Sequence, residues 1–296
     1  MSLTIMRLPI HLCNEVVRDL DFPAQCRFAR ETGYDGLEIA PFTLAEDPTR
    51  LTSAQVRAFR SAAEGEGVAI AGLHWLLAAP AGLSITATDE ETSRLTREAG
   101  RRLIGLCAEL GGSYLVHGSP QQRTLPPGHE ADGRARGIAY FAAMAEEARA
   151  AGLAYVIEPL SRLDTAFVNT VDEALAIIRE IGSPALKTMV DCYATAANGE
   201  DVPGLLDRHL PSSEIVHVHF NDDDKRGPGE GSIDFAAVLA ALRRHGCAGA
   251  AAVEPFVYLP DGPACAARAI GYLRGLEAGS YHATGAAAEP IAGPGG

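Results

Sequence analysis

The sequence predicts a single-domain parallel (β/α)8 barrel, and three observations carry that reading. Short apolar runs alternate with segments of helical periodicity along the chain. There are eight such runs, and parallel strands require a crossover helix between each pair. The chain has 296 residues, enough for eight βα units, which typically fill about 250 residues. A doubly wound open sheet shares the alternation and is the alternative.

The strands expected in order are RLPIHLC (7–13), GLEIA (36–40), VAIAGLHWL (68–76), SYLVHG (113–118), AYVIEPL (154–160), LKTMVDC (186–192), IVHVHFN (215–221) and AAAVEPF (250–256). Helical periodicity is read in 53–67, 92–112, 140–152, 171–182 and 234–246, several of which close on glycine, the residue that most readily takes a left-handed C-cap. Thr170 and Glu173 stand at capping-box spacing ahead of the 171–182 helix. The barrel is expected over 1–278, and the Gly/Ala/Pro-rich 279–296 reads as a loose tail.

Composition narrows the function. The net charge is −13, from 38 acidic and 25 basic residues, and no Lys/Arg cluster is present to neutralise phosphates, so nucleic acid is a poor partner. No run of about 18 apolar residues and no leader-like N-terminus occurs, which predicts a cytoplasmic protein with no membrane partner. Six cysteines stand singly, without a CxxC pair, in keeping with a reducing compartment. GPGEGS (227–232) lacks the ending of a phosphate loop and is expected to cover a substrate.

Chemistry in such a barrel gathers where strands end. Near those ends stand Glu38, His74, His117, Glu158, Asp191, His219 and Glu254. From 158 to 191, 191 to 219 and 219 to 254 the steps are 33, 28 and 35 residues, about one βα unit each, so these four should converge. Three carboxylates in one cavity repel unless a cation compensates or one carboxyl keeps its proton; four such residues in register favour the cation, and with one imidazole they suit Mn²⁺, Mg²⁺ or Co²⁺. In 215–221 side chains alternate, so His217, His219 and Asn221 share one face while Val216, Val218 and Phe220 share the other. His219 is the expected ligand and His217, one layer deeper, supports it or meets substrate.

IEPLSR (157–162), MVDCY (189–193), HVHFND (217–222), PGEGSIDF (228–235) and VEPF (253–256) together resemble the xylose-isomerase-like TIM barrels, which include sugar phosphate isomerases and ketose 3-epimerases. The resemblance implies one divalent metal held by Glu158, Asp191, His219 and Glu254, with manganese a typical choice. It implies that Glu158 and Glu254 flank a small ketose or related polyol and transfer a proton through an enediolate. Two places depart from the epimerase pattern: Ala194 stands for a substrate-binding histidine, and Lys225, beside Arg226, for an arginine. Asp164 stands where those enzymes carry a substrate-binding glutamate.

His74 and His117 match ligands of a three-zinc nuclease in the same superfamily, but Ala194 and the charge of −13 exclude that activity. Both histidines are then candidates for substrate contact or for structural roles. Arg162, Arg123 and Lys225 could hold a substrate carboxylate or face water, and Trp75 could line the pocket. A metal-dependent lyase or dehydratase acting on a keto-cyclitol or 3-keto sugar is the alternative activity, and a non-catalytic sugar-binding barrel the alternative class. The relatives make a homo-oligomer an expectation too.

Overall fold

The computed structural model describes residues 7–246 and 249–285. Its strands form one closed barrel in chain order, with every neighbouring pair parallel. They are β1 (Ile10–Cys13), β2 (Gly36–Ile39), β3 (Ala69–Leu73), β4 (Tyr114–His117), β5 (Ala154–Ile157), β6 (Leu186–Asp191), β7 (Ile215–Phe220) and β8 (Ala250–Val253). Most are shorter than the apolar runs that announced them. His74, Glu158 and Glu254 therefore sit on the first residue past β3, β5 and β8, at the mouth rather than inside a strand.

Around the barrel lie α1 (Phe22–Thr32), α2 (Ser53–Glu66), α3 (Glu90–Leu110), α4 (Glu130–Ala151), α5 (Val171–Ile181), α6 (Cys192–Ala197), α7 (Val202–His209), α8 (Phe235–Arg244) and α9 (Gly262–Gly285). Glycines in the left-handed region end α1 to α5, at Gly33, Gly67, Gly111, Gly152 and Gly182. Thr170 caps α5 through the Glu173 N–H, but the Glu173 carboxylate accepts from Asn169, not from Thr170. The reciprocal capping box is at Thr52 and Gln55 instead. Helix α9 continues to Gly285, past residue 278 where the tail was expected to start, and 286–296 lie outside the described residues.

One continuous apolar layer, built from residues such as Leu12, Ile39, Leu115, Ile157, Val218, Phe220 and Val253, joins the strands to the helices. Inside the barrel a small layer of Ala71, Tyr114, Val116, Val156 and Met189 fills part of the interior. The alternation read in β7 holds from His217 onward, where Val218 and Phe220 pack outward while His217 and His219 turn in toward Glu38. A register shift against β6 puts Val216 on the interior layer instead of with Val218. Among the described residues no helix is long and apolar enough to cross a membrane.

Candidate metal centre and active site

Glu158, Asp191, His219 and Glu254 converge, with one ligand atom from each lying within 4.8 Å of all the others. All four are buried. The meeting point is His219 Nδ1, which lies 2.8 Å from Glu254 Oε2, 3.1 Å from Glu158 Oε1 and 4.0 Å from Asp191 Oδ2. Repulsion among the acids is visible in their acidities. Burial together with Glu158 and Glu254 pushes Asp191 up to about 8. Burial opposes ionisation of Glu254 too, yet His219 and His74 outweigh it and hold that carboxyl down at about 2. His219 is lifted well above the usual imidazole range, because Glu254, Glu38 and Glu158 overcome its burial. The set is an anionic cage short of positive charge, and its oxygen-rich donors with one imidazole fit a borderline-hard divalent cation.

Surrounding groups hold each donor in place. Asp191 accepts from the Ala194 N–H at 2.6 Å, capping α6, and from Asn221 Nδ2 at 2.7 Å. Asn221 also accepts from the Tyr193 N–H and donates to the Glu254 carbonyl, so the amide third on the polar face of β7 ties three strand ends together. Glu254 Oε1 meets His74 Nδ1 at 3.1 Å, and His74 Nε2 faces Glu15 Oε2 at 3.0 Å. Burial alone would lower His74, but Glu15 and Glu254 raise it to about 10. A methyl on Gly118 would fall on Glu158 Oε2 and lie 2.8 Å from its Cδ, so only glycine leaves that carboxylate its seat. Glu38 is fully buried below His219 and accepts from its Nε2 at 2.8 Å.

Above the four donors opens a cavity of about 200 Å³. Trp75, Tyr193, Phe256 and Leu160 form apolar walls, and Asp164 and Lys225 form the polar side. Lys225 Nζ lies 4.6 Å from the Tyr193 ring centroid and 3.9 Å from Asp164. Ala194 also lines the cavity, leaving a small apolar surface there.

The other residues expected at the substrate are placed elsewhere. His117 points outward from β4, fully buried against Tyr140, Phe141 and Tyr155, with Nδ1 2.8 Å from the Tyr155 hydroxyl. Burial and then the Arg123 charge press it down to about 3, so it is a neutral packing residue. His74 backs Glu254 rather than lining the cavity, and His217 lies beneath it, 2.9 Å from Glu38. Arg162 is exposed and does not line the cavity. Arg123 is fully buried and donates to the Glu158 carbonyl at 2.7 Å, so it holds the main chain, not a substrate carboxylate.

The 227–232 loop does not cover the cavity either. Asp222 accepts from the Gly229 and Ile233 N–H groups, and the two glycines at 227 and 229 abut Cys265, Ala269 and Tyr272 of α9. Periodicity carried no signal for Glu15, in the turn just past β1, or for Tyr114, which opens β4 at the far end from the mouth. For Gly118 the one trace was its place as the last residue of the SYLVHG run.

A closed parallel barrel with three carboxylates and an imidazole at the C-terminal mouth is the architecture of a metal-site α/β-barrel enzyme. The particular family follows from comparison: residues 26–276 match the model of the xylose isomerase-like TIM barrel, and the chain belongs to that family. It is 30% identical over 231 residues to an L-ribulose 3-epimerase of Mesorhizobium japonicum, covering 77% of this chain and 73% of that protein. It is 22% identical to a D-psicose 3-epimerase of Ruminiclostridium cellulolyticum, covering 81% and 80%. The fold superposes on the apo structure of a 3-keto-D-glucoside 4-epimerase from E. coli with TM-score 0.78 at 20% identity, over 90% of this chain and 99% of that one.

Proposed function

We propose that the protein is a divalent-metal-dependent epimerase of a small ketose, inverting a hydroxyl-bearing carbon next to the carbonyl through an enediolate. The observation that carries this is the convergence of Glu158, Asp191, His219 and Glu254 under a sugar-sized cavity. A cation such as Mn²⁺, Mg²⁺ or Co²⁺ held by these four would polarise the substrate carbonyl. Glu158 and Glu254 come from opposite parts of the barrel wall, β5 and β8. Each turns one oxygen to His219 and keeps a second, Glu158 Oε2 beside Gly118 and Glu254 Oε1 on His74. One takes the proton from the carbon and the other returns it on the opposite face, which inverts the centre.

Asp164 and Lys225 receive hydroxyls of the substrate, and Trp75, Tyr193 and Phe256 meet its C–H faces. The named curated relatives are epimerases of L-ribulose and D-psicose, which favours C3 inversion over loss of water from a keto-cyclitol or 3-keto sugar. The five described cysteines are buried and unpaired, which supports a reducing, cytoplasmic setting. The test is incubation of the Mn²⁺-loaded protein with L-ribulose and D-psicose in D₂O. Deuterium at C3 of an inverted ketose supports the reading. A dehydrated product overturns it in favour of a lyase, and neither exchange nor turnover leaves a binding barrel.

A further inference from the structure

Beneath the four donors lies a carboxylate that touches neither cavity nor substrate. Glu38, at the third position of β2, has no solvent exposure and sits among Tyr114, His217 and His219. Tyr114 Oη donates to its Oε2 at 2.5 Å, His217 Nε2 lies 2.9 Å from the same oxygen, and His219 Nε2 lies 2.8 Å from Oε1. Tyr114 and His217 further stack on one another with ring centroids 4.6 Å apart. Placing an ionisable carboxyl at the dry centre of a barrel is costly unless its oxygens are used, and here both are committed. One of them is committed to the back of His219.

A neutral imidazole carries one N–H, and the nitrogen that lacks it is the only one that can ligate. His219 Nδ1 faces Glu254, Glu158 and Asp191, while Nε2 faces Glu38. A carboxylate behind Nε2 keeps the hydrogen there and leaves the Nδ1 lone pair directed into the cage. Tyr114 and His217 in turn stop the Glu38 carboxylate from rotating away.

We propose that Glu38 is a positioning residue that fixes the tautomer and ring orientation of His219 and thereby sets the affinity of the centre for its cation. This rests on the reading that Glu158, Asp191, His219 and Glu254 hold a divalent ion. It assigns to β2, which supplies no ligand, a direct influence on the ion. Carboxylates behind a ligating histidine typically change affinity by about 10–100-fold.

The experiment is Mn²⁺ binding by competition with a chromophoric chelator, in wild type, Glu38→Gln, Glu38→Ala and Tyr114→Phe. The expected order of weakening is Ala, then Gln, then Phe: Ala by about 10–100-fold, Gln less because its amide oxygen still accepts the N–H, Phe least. A purely structural role for Glu38 would lower the melting temperature without this graded loss. Affinities in Glu38→Gln and Glu38→Ala equal to wild type overturn the proposal while leaving the metal reading intact. No Mn²⁺ uptake by wild type overturns the metal reading and the proposal with it. Should the variants not fold, ¹⁵N-histidine spectra of wild-type protein loaded with diamagnetic Mg²⁺ decide: the Nε2–H form of His219 supports the proposal and the Nδ1–H form overturns it.

Discussion

Gly118→Ala perturbs one of the two carboxylates proposed to move the proton while leaving the four proposed ligands in the sequence. The backbone at 118 is not in the left-handed region, so alanine is tolerated by the main chain and only the side-chain space is at issue. The added methyl falls on Glu158 Oε2 and lies 2.8 Å from Cδ. Carbon atoms in contact prefer about 3.5–4.0 Å, so the carboxyl carbon must retreat by about 1 Å. Misplacing a reacting group by that distance costs about 100-fold in rate, or roughly 2.7 kcal/mol of barrier. The assay is kcat for ketose epimerisation in saturating Mn²⁺, with the melting temperature as control. Stability should move by no more than about 1 kcal/mol, the usual range for Gly-to-Ala changes in permissive backbone. A kcat within a factor of about three of wild type would refute both the steric reasoning and the role of Glu158 Oε2.

Three further expectations follow from the same geometry. His117→Ala should lower stability by about 2–3 kcal/mol through the cavity it opens against Tyr140 and Phe141, with KM unchanged, as denaturant melts and kinetics at low temperature will show. Lys225→Met should raise KM by about tenfold with little change in kcat if, as proposed, its half-exposed ammonium beside Asp164 receives substrate hydroxyls and not the reacting carbon. In the metal-free protein Asp191 keeps its proton up to about pH 8 and His74 up to about pH 10, both above their unfolded values, so the folded state binds more protons. Its melting temperature should therefore fall as pH rises from 6.5 toward 9. Mn²⁺ affinity should climb by more than about tenfold per pH unit below 8, because ligation requires both Asp191 ionised and His219, itself lifted well above the usual imidazole range, neutral; calorimetry in two buffers will count the protons released.

The barrel was legible because its signal repeats. Eight apolar runs need not be bounded accurately for their number and spacing to specify the fold, and the four donors follow from one polar residue recurring at each βα step. Helix α1 escaped because its buried face includes Gln25 beside Phe22, Cys26 and Ala29, which blurs the apolar period. Helix α9 escaped because small residues, Ala266 and Ala269 among them, make much of its buried stripe.

What sequence could not supply was direction. His117 occupies a strand end like its neighbours, but the alternation of β4 places Val116 inside and turns His117 to the helices. His74 and His217 do face the centre, yet one stands behind Glu254 and the other below Glu38, depths that strand position alone leaves undetermined. Arg123 appeared free to bind an anion, and only the folded loop brings it under the Glu158 carbonyl.

The most direct single measurement is the metal stoichiometry of the wild-type protein after dialysis against Mn²⁺, beside Asp191→Asn and His219→Ala. One equivalent in wild type, with clear loss in both variants, is the expected result. A wild-type protein that retains no divalent ion, or variants that retain as much as wild type, would contradict the metal centre and with it the epimerase mechanism built on it.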